Sequence, residues 1–195
     1  MKPSRSKHRH NSQAAQSPHL AASAAQRYRP HLAFLVPLVL WYGACDWLYR
    51  QVPDSLLAEF IYPWGINQMA ADIINAISHD AHVRVDGHRL ISPRATLEVV
   101  RGCDGSGLLF LMSAAIVAFS ASWRPKLWGL LAAAALVYVA NELRVISLYF
   151  VLANRPAWFM PLHVSVFPLV ILALGAMLYL WWMHWAQAFD TDVAR

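Results

Sequence analysis

The sequence predicts an all-α polytopic membrane protein with about four membrane-spanning helices, and two properties indicate this. Hydrophobic residues make up 58% of the 195 residues and charged residues only 14%, whereas a soluble globular chain carries about 25% charged residues. The hydrophobic residues also gather into long runs. A helix needs about 20 residues to cross the hydrocarbon core of a bilayer, and several runs approach or exceed that length.

The first 30 residues form a basic segment that precedes the first apolar run. This segment contains lysines and arginines, no acidic residue, and many Ser, Ala and Gln residues, which predicts a disordered tail. Positive charge next to a span marks the cytoplasmic side of a membrane. The formal net charge of +5 lies largely in this tail, so we interpret it as an orientation signal and expect the lipid bilayer, and no nucleic acid, as a partner.

Four spans follow from the apolar runs, at about residues 31–49, 103–122, 127–152 and 162–185. Asn141, Glu142 and Arg144 interrupt the third run. Trp181, Trp182 and Trp185 close the fourth run, where we expect an interfacial aromatic belt.

The segment between the first two spans, residues 50–102, carries charges of both signs and is expected on the extracytoplasmic side. Apolar residues at helical spacing predict a helix, which lies either on the outer surface or on a small core of its own; they are Ile66, Met69, Ala70, Ile73, Ile74 and Ile77. Asp86-Gly87 predicts a hairpin with a type I′ turn, and residues 96–100 predict a further strand. The basic loop with Arg124 and Lys126 is expected in the cytoplasm.

Three reactive side chains lie at the same end of three different spans. Cys103 opens the second span, Arg144 lies late in the third, and His163 opens the fourth. At 1.5 Å per residue, Arg144 lies roughly 27 Å beyond Lys126, close to the far boundary of a core about 30 Å thick. If the spans are successive antiparallel helices, the three side chains meet at one face of the membrane.

Glycines surround Cys103 at the junction between the predicted strand and the second span. Gly102, Asp104 and Gly105 allow a turn there, and Cys103 then lies beside the start of a helix. The partial positive charge of a helix N-terminus favours a thiolate. Free backbone N–H groups at such a turn also bind an oxyanion. This pattern favours Cys103 as a nucleophile.

Structural explanations remain open for the same residues. Cys103 is either an inert small residue or a disulfide partner of Cys45. Arg144 either extends to the interface or pairs with Glu98 or Asp104. Asn141 shares the helical face of Arg144, Glu142 faces elsewhere, and His163 is alternatively a simple interfacial histidine.

The order of these motifs resembles the exosortase/archaeosortase family, over roughly residues 98–170. The resemblance rests on Cys103-Asp104-Gly105, then Asn141 with Arg144 three residues later, then His163 at the head of the next span. The residues after His163 lack an Asp and a Gly that are common in many members. The chain is a short form, with fewer spans than many relatives.

This resemblance implies a membrane cysteine protease or transpeptidase in the cytoplasmic (inner) membrane, with its site on the extracytoplasmic face. Cys103 is then the nucleophile, Arg144 the binder of an oxyanion or carboxylate, and His163 the acid and base; Gly102, Asp104, Gly105 and Asn141 support them. The implied partners are membrane-tethered secreted proteins with a C-terminal sorting signal. No cofactor and no metal is expected. The alternatives are a non-enzymatic scaffold of an envelope or polysaccharide export complex, and a small transporter.

Overall fold

The computed structural model describes residues 17–193, with side chains described from His31 onward, and helices dominate it. Five α-helices of at least ten residues follow one another in this part of the chain: α1 Ser17–Gln51, α2 Gln68–Ile77, α3 Ser106–Ala118, α4 Trp123–Asn154 and α5 Phe167–Val193. Within the described residues, three helical segments are long and apolar enough to cross a membrane: His31–Gln51, Trp123–Asn154 and Pro156–Val193. The chain is therefore an all-α polytopic membrane protein, as its sequence predicts.

The start of α1 differs from the sequence prediction. The tail predicted to be disordered over residues 1–30 is helical from Ser17 onward, and residues 1–16 lie outside the described part of the chain. Alanines at positions 21, 22, 24 and 25 favour helix. Extending an existing helix also avoids the unfavourable nucleation step.

The second predicted span, residues 103–122, is shorter than expected. Only Ser106–Ala118 is helical, which is 13 residues or about 20 Å. The helix starts late because Asp104 and Gly105 form its capping turn, and it ends at Phe119, where the backbone becomes extended. The stretch that follows turns back on itself, since the Ala121 N–H donates to Phe119 O at 3.1 Å, before α4 begins at Trp123.

The helices pack around α3. Helix α1 packs on α3, α3 also contacts α4 and α5, and α4 packs on α5. At the end opposite Cys103, Trp182 is buried against Gly129, where an added Cβ would lie 2.4 Å from the indole Nε1. The same nitrogen donates to Pro125 O at 2.8 Å. Trp182 is therefore a helix-packing residue, and the prediction that it belongs to an interfacial belt is wrong.

The segment between α1 and α3 forms a small helix-and-sheet unit on the end of α4 that bears Arg144. Helical turns Asp54–Leu56, Leu57–Ile61 and Pro63–Asn67 lead into α2, the second and third being π-helical. Strands β1 Arg84–Asp86, β2 Arg89–Ile91 and β3 Thr96–Glu98 form an antiparallel sheet in that order. The predicted hairpin and strand are confirmed.

The hairpin turn has a different type from the one predicted. Asp86 pairs with Arg89, so the two turn residues are Gly87 and His88. Among these two, only Gly87 has a positive φ, of 57°. A type I′ turn needs a positive φ at both positions, whereas type II′ needs it at the first position only.

This unit has a core of its own. The sequence left open whether α2 lies on the outer surface or packs on such a core. Ala70 and Ile74 are fully buried against residues of the sheet, such as Leu90, and of α4, such as Tyr149. Tyr149 also donates to the Ser92 hydroxyl at 2.9 Å. Helix α2 is thus packed on a core, and that core joins the sheet to the end of α4 that bears Arg144.

Candidate active site

Cys103 lies in a tight turn between β3 and α3. Its backbone N–H donates to Val100 O at 2.9 Å. The Asp104 carboxylate accepts hydrogen bonds from the Ser106 backbone N–H at 3.2 Å and from the Ser106 hydroxyl at 2.8 Å. Cys103 therefore precedes the first residue of α3 by three positions, beside the positive end of that helix.

Gly105 joins this turn to α4. It adopts a φ of +82°, and a Cβ added there would lie 3.0 Å from Val137 Cγ1 and 3.4 Å from Asn141 Cβ. A side chain would be strained in this left-handed conformation and would also press against α4. Glycine at position 105 therefore sets how closely the turn that bears Cys103 approaches Asn141.

Two tyrosines fix the other side of the turn through Asp104. The hydroxyl groups of Tyr49 and Tyr62 both donate to Asp104 Oδ2, the second at 3.3 Å, and they lie 3.0 Å from each other. Burial raises the pKa of Tyr62, and the nearby Tyr49 and Asp104 raise it further, so its hydroxyl remains a proton donor. With Ser106 also bound, Asp104 uses its carboxylate to position the turn.

Arg101 ties the same turn to the end of α1. Its guanidinium donates to Tyr49 O at 2.6 Å, to Val52 O at 2.7 Å and to Asp54 Oδ1 at 2.8 Å, and it lies 4.6 Å from the centre of the Tyr49 ring. Sequence reasoning missed Tyr49, Tyr62 and Arg101. Their one signal was position, because Arg101 is adjacent to Gly102 and Tyr49 closes the first span.

His163 lies across from Cys103, in a π-helical turn, Leu162–Val166, that precedes α5. Its Nε2 is 3.6 Å from Cys103 Sγ. The ring of Phe159 stacks on the imidazole, with centroids 5.3 Å apart and planes 8° from parallel. This stacking fixes the ring plane, so that one nitrogen faces the sulfur.

Arg144 completes the cluster from α4. Its Nη2 donates to His163 O at 3.3 Å and lies 3.5 Å from His163 Nδ1. The latter separation is too long for a strong hydrogen bond, so Arg144 contacts His163 mainly through the backbone carbonyl. The Arg144 side chain is buried, with 8% of its surface exposed, and its Nε has no hydrogen-bond partner among the described residues.

The structural alternatives for these residues differ from the contacts observed. Glu98 pairs with Arg89 at 2.7 Å, and Asp104 binds the tyrosines, so Arg144 pairs with neither. Its burial also argues against extension to the interface. Cys45 and Cys103 are both free thiols, so the alternative of a disulfide between them is not the state observed.

A cavity of about 310 Å³ lies beside the cluster, between α3, α4 and α5. Its walls are apolar on the side away from the turn, glycine-lined next to the turn, and polar at α4; they comprise Gly102, Gly105, Gly107, Leu108, Leu111, Asn141, Arg144, Pro168, Ile171 and Leu172. The Asn141 side chain is 3% exposed, and neither its Nδ2 nor its Oδ1 has a partner among the described residues. Asn141 and Arg144 thus bring buried polar atoms without partners to the wall of a largely apolar pocket.

Glu142, the next residue on α4, is also buried. It is 4% exposed, and neither carboxyl oxygen has a hydrogen-bond partner among the described residues. It is not among the residues that line the cavity. Its contacts therefore do not connect it to the Cys103 cluster.

The three predicted site residues come together, and their chemistry is complementary. A thiol beside an imidazole can lose its proton to the ring and attack a carbonyl carbon. A buried guanidinium, together with free backbone N–H groups at a helix start, can stabilise the oxyanion that forms. This arrangement can therefore perform acyl transfer.

One comparison with known proteins identifies a family for this chain. No curated protein and no solved structure matches the chain. The family model for transmembrane exosortases matches residues 24–181, a range that includes Cys103, Arg144 and His163. The chain belongs to the transmembrane exosortase family.

Proposed function

We propose that this exosortase is a cysteine-dependent protease or transpeptidase that cleaves the C-terminal sorting signals of secreted proteins. One observation carries the proposal: the Cys103 sulfur lies 3.6 Å from His163 Nε2, and Arg144 contacts the same histidine. Packing alone does not require a thiol, an imidazole and a buried cation from three separate elements to lie together, whereas cysteine-dependent catalysis does.

The proposed reaction begins when the Cys103 proton passes to the His163 ring. The thiolate forms a bond to the carbonyl carbon of a peptide, and the carbonyl π electrons move onto oxygen. The C–N bond then breaks, the leaving nitrogen takes the proton from His163, and a thioester remains on Cys103. Water or an amine next loses a proton to His163 while it attacks the thioester, and the thiol is restored.

Arg144 is proposed to stabilise the negative charge of the two tetrahedral intermediates. Its unpartnered Nε–H and its fixed cationic charge are suited to an oxyanion or to a carboxylate of the substrate. Backbone N–H groups of the turn that contains Gly102 and Gly105 are additional candidate donors. The site contacts need no cofactor or metal for these steps.

The site is proposed to face outward from the cytoplasmic membrane. Arg124 and Lys126 lie at the end of the bundle opposite Cys103, and positive charge marks the cytoplasmic side. Residues 50–102 then form the extracytoplasmic unit, and the basic N-terminal region lies in the cytoplasm. A nucleophile at this depth reaches a peptide bond where a membrane-tethered substrate emerges from the bilayer.

The test compares envelope proteins from wild-type cells and from cells with the Cys103→Ala chain. Mass spectrometry of C-terminal peptides should show that the variant accumulates proteins that retain an apolar helix and a basic end. Cys45→Ser is the matched control, because Cys45 is a free thiol on α1, and it should process normally.

If Cys103→Ala cells show the same C-termini as wild-type cells, while the variant chain is present at normal levels, the protein is not the processing enzyme. The role of a non-enzymatic scaffold in an envelope or polysaccharide export complex then becomes the better explanation.

A further inference from the structure

The carboxamide of Asn141 is an unexplained feature of the cavity beside Cys103. It lies on α4 in a membrane protein, 3% exposed, with both of its polar atoms unpaired among the described residues. A buried donor and acceptor without partners destabilise a protein, and the cost is greater where lipid surrounds the helix. Leucine has almost the same shape and would avoid that cost, so Asn141 indicates a polar ligand.

The chemistry of the carboxamide identifies that ligand. Nδ2 donates and Oδ1 accepts, side by side, which complements the C=O and N–H of one residue in an extended strand, because these two groups point to the same side of the strand. A phospholipid ester supplies only acceptors and would leave Oδ1 unpaired. An α-helix also fits poorly, because its own N–H and C=O groups are already paired with each other. The complementary group is therefore the backbone N–H and C=O of one residue in an extended segment.

The remaining walls of the cavity indicate that an apolar helix adjoins this extended segment. Leu108 and Leu111 of α3 face Ile171 and Leu172 of α5 across it, and such a surface accepts the apolar side chains of a membrane-spanning helix. The polar and apolar parts are continuous, so one occupant fits both if it is extended beside Asn141 and helical deeper in the bilayer.

The cavity is also close to the proposed reaction. Gly105 follows Cys103 by two residues, and a Cβ at Gly105 would lie 3.4 Å from Asn141 Cβ. A substrate residue paired with Asn141 is thus within a few residues of a bond that Cys103 can attack.

We propose that Asn141 binds the backbone N–H and C=O of one substrate residue and thereby holds the start of the substrate's spanning segment in an extended conformation, while the rest of that segment occupies the cavity. This inference rests on the proposed function. It makes Asn141 a substrate-binding residue that selects peptides able to unwind at this depth.

The substrates for this test are the proteins that accumulate in Cys103→Ala cells. Pulse-chase then measures the rate at which these proteins are processed in cells with Asn141→Leu. We expect processing at least about tenfold slower, since two hydrogen bonds to substrate are lost. Iodoacetamide alkylation of Cys103 in isolated membranes should stay within about twofold of wild type. The midpoint of thermal unfolding should be unchanged or higher, because two unpaired buried groups are removed.

A second pair of variants tests the cavity itself. Leu172→Trp fills it and should slow processing, whereas Leu174→Trp, at a position of similar exposure that is not among the cavity-lining residues, should not. If Leu172→Trp alters only the phospholipids that copurify with the protein and leaves processing unchanged, lipid is the occupant and the proposal is wrong.

Two further outcomes separate this inference from the proposed function. Wild-type processing by Asn141→Leu, or a parallel fall of processing and of Cys103 alkylation, overturns the substrate-binding role while Cys103→Ala still blocks processing. If Cys103→Ala itself leaves the C-termini of envelope proteins unchanged, the proposed function and this inference fail together.

Discussion

Gly105 allows the turn that bears Cys103 to pack closely against α4. The variant Gly105→Ala tests whether that close packing stabilises the protein and positions Cys103. The residue lies in the left-handed region with a φ of +82°, and its Cα faces Val137 and Asn141 of α4. The added methyl group must therefore overcome both backbone strain and close contact. The turn that bears Cys103 would have to move away from α4 to relieve them.

The expected magnitude combines these two effects. The left-handed conformation costs a non-glycine residue roughly 1–2 kcal/mol, and overpacking by one methyl group typically costs about 1–3 kcal/mol. The contact at Val137 Cγ1 is 3.0 Å, which requires a shift of a few tenths of an ångström. Together the free energy of unfolding should fall by about 2–5 kcal/mol, or roughly 4–20 °C in Tm for a chain of this size.

The assay is thermal unfolding of the purified protein in detergent, followed by the rate of Cys103 alkylation. Gly107→Ala is the matched control, because Gly107 lies within α3 and a Cβ there meets nothing within 4 Å. Alanine in a helix is favoured over glycine by about 0.5–1 kcal/mol, so this control should be slightly more stable than wild type. Equal stability of Gly105→Ala and Gly107→Ala would refute the contact described between the turn and α4.

Three other predictions concern the cluster and its orientation. Arg144→Lys keeps the positive charge but loses the planar guanidinium with its paired N–H donors. If Arg144 stabilises an oxyanion, processing should fall about 10²-fold or more. Full activity of this variant would mean that Arg144 contributes only its charge. His163→Ala should slow processing by about 10²–10⁴-fold while iodoacetamide still labels Cys103, and wild-type turnover would assign the proton transfer to another group. Reporter fusions should place Asp86 outside and Lys126 inside, and the opposite result would move the cluster to the cytoplasmic face.

The proximity of Cys103, Arg144 and His163 could be predicted from sequence, because the position of a residue along a spanning helix gives its depth in the membrane. Each residue advances a helix by 1.5 Å, so residues far apart in the chain can be assigned to one membrane level. The three side chains meet even though the second span is only 13 helical residues. Cys103 precedes that helix, and its depth is set by the turn that Asp104 and Gly105 form.

The contacts that fix this turn could not be predicted in the same way. Arg101 donates to backbone carbonyls of Tyr49 and Val52 at the end of α1. Every residue has a backbone carbonyl, so the sequence does not indicate which ones accept these bonds. The pairing also depends on how α1 packs against α3, which a pattern of apolar residues along one helix does not specify. The close approach of Trp182 to Gly129 could not be predicted either, because it depends on how α4 packs against α5.

The chain next to Tyr62 departs from regular α-helical spacing. Along the segment that leads into α2, one row of buried positions is Ile74, Ala70, Ile66, Tyr62 and Leu57, and Asn67 and Ala71 are buried beside it. The last step of the row is five residues long instead of three or four. A regular α-helix continued backward from Ile66 would turn inward Tyr62, which is buried, and also the charged Glu59. The π-helical turn Leu57–Ile61, closed by a hydrogen bond from Tyr62 N to Leu57 O, adds the extra residue.

The consequence reaches the proposed nucleophile. The π-helical turn leaves Glu59 exposed and brings Leu57 into the core. Tyr62 follows this turn and donates to Asp104, whose carboxylate also accepts from the Ser106 N–H beside Cys103. A second π-helical turn, Leu162–Val166, contains His163 on the other side of the sulfur. Both irregular turns thus adjoin or contain residues of the site: Tyr62 follows the first and His163 lies in the second. A site assembled from such turns cannot be derived from α-helical spacing, although the residues that carry out the proposed chemistry can.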